Sequence, residues 1–483
     1  MSDTSALWSE IERRLTGEGD RLAFDAGKAG SISYARLREL TAAIAAASQS
    51  DGPVAILANR SMEAYVAVLA CYRFGRTFVP LNPSFPKARL IKIAEQSGAV
   101  ECLADPKYAA IGEQLGMSVR IIDLDAAGSD AEPQAPSANA RVYHLFTSGS
   151  TGQPKGVPIT HAALTHYVTN IVDTVGIGDH WRATQFFDLS FDLSMHDLFV
   201  CLMTGGTLVP ANDMALMMPH RFCASNAIDI WFSVPLLAVA AARGQAAMPA
   251  DVRLKKALFC GEALPGAYAE GMRTLLQDGG EVWNLYGPTE ATIAFTAHRL
   301  DKSDYARDVV QLGQPFGDNR IAVLHEDAVI EARDGVSGEL LLGGPQVFAG
   351  YAPVNANEPF VTDADGLRYY RTGDLVRLEG GALVYIGRTD SQVKIRGHRV
   401  ELGEIEAACS RIAGVDAAAV VLLGDAANPR IVAAYQGDAA ADFAPLADNL
   451  APYMVPSDTH HLAALPVNAN GKIDRRSLTE MLA

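Results

Sequence analysis

The sequence predicts a multi-domain α/β protein, and three observations carry that reading. Through the first 300 residues, short runs rich in Val, Ile and Leu alternate with Ala-rich stretches of helical spacing. Strands alternating with helices imply crossover units and largely parallel sheets covered on both faces. From about residue 310 the texture turns to β-strands and Gly turns (IAVLHEDAVI, GELLLGG, LVRLEGGALVYIGR), which fits a twisted barrel or small sheet. Finally, 483 residues with 49% apolar and 20% charged content exceed one domain and supply ample core. At roughly 100–200 residues per unit, two to four folding units are expected, without global disorder.

The elements follow in order. Leu7, Trp8, Ile11 and Leu15 fit one face of a helix behind a polar cap, and no basic n-region or apolar h-region precedes them. Tyr34–Ala47, Met62–Arg73 and 86–96 read as helices; Val54–Leu57, 77–81, 119–124 and Arg141–Thr147 read as strands. Residues 126–140 have loop composition. The apolar run 64–72 is about half of what a bilayer span needs, so a cytoplasmic protein with no membrane partner is expected. After Asp390 comes a compact tail: a charged hairpin-like piece, an Ala/Val-rich α/β stretch and a final basic loop. Six scattered cysteines without a C-x-x-C pair exclude a disulfide scaffold and argue against zinc. A net charge of −16 argues against nucleic-acid or anionic-lipid partners, leaving local basic pockets open.

The segment LFTSGSTGQPKGVPITH (145–161) carries the strongest chemistry. A strand ends at Phe146; Thr147, Ser148, Gly149, Ser150, Thr151 and Gly152 follow with almost no side-chain bulk, then Lys155, then a helix that Thr160 could cap. Small residues let backbone N–H groups and hydroxyls close around phosphate oxygens, and the lysine supplies countercharge. The spacing is not that of a Walker A loop. A plain surface turn would need neither six such residues nor the lysine. Elsewhere the residues alone leave alternatives open. Tyr286, before a Gly-Pro turn, suits stacking on a flat base or a place in the core; Glu290 suits a hard-oxygen Mg²⁺ ligand or a solvated carboxylate. Asp374, after a tight Gly turn, suits two ribose hydroxyls or an ordinary surface turn.

In chain order, LFTSGSTGQPKGVPITH, NLYGPTEAT (284–292), YRTGDLVR (370–377), GRTDSQVKIRGHRVELGEIE (387–406) and NANGKID (468–474) are similar to the blocks of adenylate-forming enzymes. That family includes nonribosomal-peptide adenylation domains, acyl-CoA synthetases and luciferases. The resemblance implies a large N-terminal domain, 1–389, of two α/β subdomains with stacked, mostly parallel sheets plus a distorted β-barrel. It implies a small mobile α+β domain, 390–483, hinged at Asp390. ATP and Mg²⁺ are implied. Thr147, Ser148, Gly149, Ser150, Gly152, Lys155, Tyr286, Gly287, Thr289, Asp374 and Arg388 would hold the nucleotide; Thr151, Glu290 and Lys472 would be catalytic, with Glu290 also the metal ligand. When a carboxylate attacks the α-phosphorus, charge gathers on phosphoryl oxygens and departing pyrophosphate, and the Lys472 ammonium would stabilise it. The attacking carboxylate is already ionised at pH 7, so neither general base nor protein nucleophile is needed. In a second step a thiol would attack the adenylate, with the 394–397 loop (Lys394, Gly397) replacing Lys472.

FDLSFDLSMHDLF (187–199) holds the substrate test. By resemblance to amino-acid-activating members, Asp192 binds the α-ammonium; a carboxylate in an apolar pocket is costly without such a cation. The matching pocket is Leu193, His196, Phe232, Leu258, Cys260, Gly261, Leu285, Ile293 and Ala294. It holds no second charge, and Phe232 with Leu285 narrows it, implying a small neutral amino acid. The Cys260 neighbourhood resembles D-alanine:carrier-protein ligases, in which the matching cysteine crowds the α-carbon. Phe232 and Leu285 are instead similar to proline-activating enzymes, and His196 matches neither group. Alanine, its D-isomer included, or proline is therefore expected. Eleven residues follow Lys472, without a Gly-Gly-x-Ser attachment segment, so the expected acceptor is the phosphopantetheine thiol of a separate carrier protein. An acidic carrier would dock on Lys394, Arg396 and Arg399. The competing readings are an acyl- or aryl-acid CoA ligase and a non-catalytic ATP-binding protein; Asp192 speaks against the first, and Asp192, Glu290 and Lys472 together speak against the second.

Overall fold

The computed structural model describes residues 5–48, 51–129, 131–149, 154–353, 359–424, 428–466 and 473–483. Among them, a six-stranded sheet runs through Ser118–Ile121, Glu101–Ala104, Val54–Leu57, Phe78–Leu81, Arg141–Thr147 and Lys155–Thr160. All neighbours are parallel except the last pair. The three strands Glu101–Ala104, Val54–Leu57 and Phe78–Leu81 are buried at every position, as expected of parallel strands covered on both faces. A nine-stranded sheet has a parallel centre (Leu276–Tyr286, Leu254–Phe259, Ile230–Ser233, Arg182–Gln185, Thr207–Pro210, Leu22–Asp25) and antiparallel edges.

One core joins the two sheets through the helices Met62–Arg73, His161–Val175 and Leu193–Met203. Met62–Arg73 is buried at every position from 64 to 73, which explains its all-round apolar run: it lies inside the core, not in a bilayer. Its first turn is capped by Ser61, whose Oγ accepts the Ala64 N–H at 3.3 Å. Ala6–Gly17 buries Leu7, Ile11 and Leu15, the spacing read from the sequence. Among the described residues, no helix is long and apolar enough to cross a membrane.

The expected barrel-like region is an antiparallel sheet of six strands between Arg320 and Arg388. The C-terminal segment opens with a hairpin, Gln392–Ile395 with His398–Glu401. Its two-residue turn, Arg396 and Gly397, has φ of 52° and 83°, the mirror-image geometry that suits the strand twist. The helix Leu402–Cys409 and a three-stranded sheet follow. Ile395, Val400, Ile405 and Val420 share a core with Leu81, Phe85, Leu90 and Ile93, so the tail packs directly on the six-stranded sheet.

One local expectation is met and another changes. The helix capped by Thr160 begins at His161, where Thr160 Oγ1 accepts the Ala163 N–H at 3.2 Å. Before it stands a strand that the sequence did not reveal, Lys155–Thr160, which pairs antiparallel with Arg141–Thr147 and buries Val157 and Ile159 completely. Strand 119–124 is displaced to Ser118–Ile121, an edge with one neighbour, where Ile121 is exposed.

Candidate active site

The loops at the strand ends and the C-terminal hairpin enclose a cavity of about 390 Å³. Tyr286, Asp374 and Arg388, drawn from three separate blocks of sequence, meet on its wall. The Tyr286 hydroxyl donates to Asp374 Oδ2 at 2.6 Å, and Arg388 Nη1 donates to Asp374 Oδ1. Arg388 also spans Asp390, with Nε and Nη2 at 2.7 and 2.8 Å from its two oxygens. Gly373 has φ of 73°, the left-handed region that favours glycine, and its backbone passes close to the Arg388 guanidinium.

Thr147 and Ser148, at the start of the small-residue loop, line a second, smaller cavity with Thr289 and Arg399. Thr147 and Lys155 are directly opposed across the two strands, which puts both side chains on one face. Thr147 Oγ1 is buried without a partner among the described residues, and Lys155 Nζ stands 5.6 Å from the Tyr351 ring centre. Ser148 Oγ donates to the Arg399 carbonyl at 2.7 Å, and the Gly149 N–H donates to Glu404 Oε2 at 3.1 Å. Ser150, Thr151, Gly152 and Lys472 lie outside the described residues.

Glu290 is completely buried. Its Oε1 accepts from the Tyr351 hydroxyl at 2.7 Å, and Arg399 Nη1 reaches Oε1 and Oε2 at 2.6 and 2.8 Å. Burial pushes this carboxyl up, but the Arg399 charge and the Tyr351 hydrogen bond hold it below the usual range. Among the described residues, no three His, Cys, Asp or Glu side chains gather into a metal cage. Mg²⁺ commonly uses one or two carboxylates plus substrate phosphates, so a lone Glu290 would suffice in kind. It does not fit in this arrangement, because Arg399 faces both oxygens.

Asp192 directly precedes the helix Leu193–Met203 and is 4% exposed. Burial pushes its carboxyl up to about 7; Thr289, the Ile293 backbone and Lys394 oppose the shift, while the Glu290 charge adds to it. Among the described residues its Oδ2 has no partner, an orphan acceptor in a residue that lines a cavity with Leu193, Gly261, Gly287 and Thr289. Leu193, His196, Phe232, Leu258, Cys260, Leu285, Ile293 and Ala294 form one cluster, each at most 2% exposed. His196 Nδ1 is 2.6 Å from the Tyr167 hydroxyl, and its ring centre is 4.1 Å from that of Phe232. Burial drives His196 down to about 3 and the Cys260 thiol up to about 12, so both are neutral near pH 7. His196 therefore contributes packing and a hydrogen bond, not a charge.

The hairpin reaches the same cleft. The Gly397 N–H donates to Glu262 Oε1 at 2.6 Å, and Lys394 Nζ lies 6.0 Å from the Tyr286 ring centre. The structure corrects the expected docking set. Arg399 is turned inward onto Glu290 and Lys394 lines the cavity, leaving Arg396 exposed on the hairpin tip. Arg399, Glu404, Tyr351, Glu262 and Tyr167 were not singled out for these contacts by the sequence. Only the charge density of GHRVELGEIE hinted at the first two.

The sequence model of the AMP-binding enzyme family matches residues 11–352. A D-alanine--D-alanyl carrier protein ligase of Bacillus thuringiensis is 31% identical over 508 residues, covering 98% of each chain. A linear gramicidin synthase of Brevibacillus parabrevis is 32% identical over 93% of this chain, which spans only 9% of that protein. The crystal structure of the Vibrio cholerae adenylation domain AlmE in complex with glycyl-adenosine-5'-phosphate aligns with a TM-score of 0.88 at 26% identity. That alignment covers 99% of this chain and 97% of the other. The chain belongs to the AMP-binding enzyme family.

Proposed function

We propose that this enzyme activates a small neutral amino acid with ATP, releases pyrophosphate and passes the aminoacyl group to the phosphopantetheine thiol of a separate carrier protein. The observation that carries the reading is Asp192, a buried carboxylate that lines the cleft and has one oxygen without a partner among the described residues. An ammonium group satisfies that oxygen; a fatty or aryl acid leaves it stranded. The relationship to a D-alanine--D-alanyl carrier protein ligase over 98% of both chains supports the same reading.

With the ammonium on Asp192, the substrate carboxylate attacks the α-phosphorus and the bond to pyrophosphate breaks. Asp374 and Arg388 hold the ribose, Tyr286 the base side, and Thr147, Ser148, Gly149, Ser150, Gly152 and Lys155 the phosphates, with Gly287 and Thr289 beside them. Thr151 and Lys472 act on the charge that develops. Glu290 would hold Mg²⁺, which neutralises phosphate charge when bound, once Arg399 has withdrawn. The chain then turns about Asp390, between a body of 1–389 and a lid of 390–483. Lys394 and Gly397 take over the cleft for thiol attack on the acyl carbon, which expels AMP. The arrangement with Gly397 on Glu262 suits this second step. The residues past Asp192 are buried and apolar, with His196 and Cys260 neutral near pH 7, which supports a neutral side chain over a charged one.

ATP–pyrophosphate exchange with glycine, both alanines, serine and proline tests the reading. Exchange is expected with one or more of these neutral amino acids. Exchange with simple carboxylic acids and with no amino acid would reassign the chain to acyl- or aryl-acid CoA ligation.

A further inference from the structure

The connection between the strands Leu276–Tyr286 and Thr296–Arg299 carries Glu290 and the pocket residues Ile293 and Ala294. At its centre Thr292 and Ile293 have φ of 59° and 71°, two successive β-branched residues in the left-handed region. That conformation is ordinarily left to Gly or Asn, because a branched Cβ crowds the backbone there. Such strain persists only where the surroundings over-determine it, and it collects at functional sites. What holds the pair is Gln346, a completely buried side chain three residues beyond the strand Ser337–Gly343. Its Nε2 donates toward the carbonyls of Ala291, Thr292 and Ala294 at 3.1, 3.2 and 2.8 Å. Thr292 Oγ1 in turn donates to the Gln346 backbone carbonyl at 2.7 Å. The amide is fixed from behind as well: Oε1 accepts from Asn319 Nδ2 at 2.8 Å and from His166 Nδ1 at 3.0 Å. Because Nε2 faces three carbonyls, Oε1 is the acceptor, so His166 carries its proton on Nδ1 and accepts the Asp318 N–H on Nε2 at 3.3 Å. Turning the amide over would strand groups on both sides of it.

We propose that Gln346 is a positioning residue for amino-acid capture: its amide holds Thr292 and Ile293 left-handed, so that the Ile293 backbone and the residues Ile293 and Ala294 close the pocket beside Asp192. The proposal rests on the functional reading above and adds a residue to it. Gln346 acts through the turn and not on a reacting atom. The Ile293 backbone works directly on the Asp192 carboxyl and favours its ionised form. Glu290 is held by other means, since its carbonyl accepts the Phe348 N–H at 2.8 Å and its Oε1 accepts from the Tyr351 hydroxyl at 2.7 Å. The amide of Gln346 therefore governs the half of the connection next to Asp192 and leaves the half that carries Glu290 to its own supports. Without that amide, three buried carbonyls lose a donor and nothing offsets the strain at 292 and 293. The chain then relaxes out of the left-handed region, and the Ile293 backbone turns away from Asp192.

ATP–pyrophosphate exchange by the full chain tests this, with the amino acid that the wild type exchanges best as the probe. Gln346→Met, similar in length but without an amide, should raise KM for that amino acid by roughly ten- to a hundredfold, the range for buried carbonyls left unmet. KM for ATP, and kcat at saturating amino acid, should stay within a few-fold. A merely structural defect would lower the amount of active enzyme without separating the two Michaelis constants. Thr292→Gly relieves the left-handed strain, so Gln346→Met combined with Thr292→Gly should recover part of the lost KM. Asn319→Ala removes one donor behind Oε1 and is milder. It should raise the amino-acid KM by a few-fold, and it decides the matter if Gln346→Met does not fold. An unchanged amino-acid KM in the folded variants, equal rises for ATP and amino acid, or a double variant no better than Gln346→Met overturns the inference. Amino-acid-dependent exchange by the wild type would still leave the functional reading standing. Exchange by the wild type with no amino acid would remove the two together.

Discussion

Acidifying the medium from pH 8 to pH 5 should switch off amino-acid capture, and Asp192 sets where. Its carboxyl is pushed up to about 7, first by burial and then by the nearby Glu290 charge, against the opposing pull of Thr289, the Ile293 backbone and Lys394. Only the ionised form pairs with an ammonium group, so capture is present above about 7 and is lost as pH falls below it. About one molecule in ten remains ionised one unit below the midpoint, so kcat/KM for the amino acid should fall roughly tenfold at pH 6 and roughly a hundredfold at pH 5. An aspartate at its ordinary value of 3.8 would keep the profile flat to about pH 5. His196 at about 3 and Cys260 at about 12 do not titrate in this window, so the limb should have the slope of one proton. The assay is amino-acid-dependent ATP–pyrophosphate exchange at saturating ATP across this range. Asp192→Asn should abolish the limb and cost about 3–5 kcal/mol of binding at pH 8 by stranding the ammonium in the pocket. A wild-type profile flat to pH 5, or the same limb in Asp192→Asn, would refute the assignment.

Two further outcomes follow from the assigned roles. Lys472→Ala should slow adenylate formation by roughly 10²–10³ and leave thioester formation from supplied aminoacyl adenylate within a few-fold; equal losses in both steps would show that the lysine has no special part in the first. His196→Ala removes the ring wedged between Tyr167 and Phe232, so it should shift exchange toward larger neutral side chains. The orphaned Tyr167 hydroxyl should also cost about 1–3 kcal/mol in thermal unfolding. An unchanged order of amino-acid preference would mean that this ring does not bound the pocket.

Much of the local structure was legible in the sequence. Val54–Leu57, Arg141–Thr147, Tyr34–Ala47 and Met62–Arg73 have the bounds read from it. Continuous β-branched runs and serine caps act within a few residues, so they are visible in one dimension. The helix start at Thr160 was legible for the same reason. The strand 155–160 before it was not, because Val157 and Ile159 needed the facing strand to show that they alternate into a core. The residues proposed to hold the nucleotide lay in recognisable blocks, and the structure brings Tyr286, Asp374 and Arg388 to one wall.

The sequence alone determined which residues have the chemistry that the reaction needs. They are a compact loop rich in hydroxyls and glycine, one aspartate among apolar neighbours, and a charged hairpin near the chain's end. Only the tertiary structure decided what each charge faces. Arg399 meets Glu290 across 109 residues, and Gly149 meets Glu404 across 255. Asp192 owes its unusual proton affinity to walls contributed by strands and helices far along the chain. Electrostatic energy depends on distance and burial in space, neither of which is fixed by order along the chain.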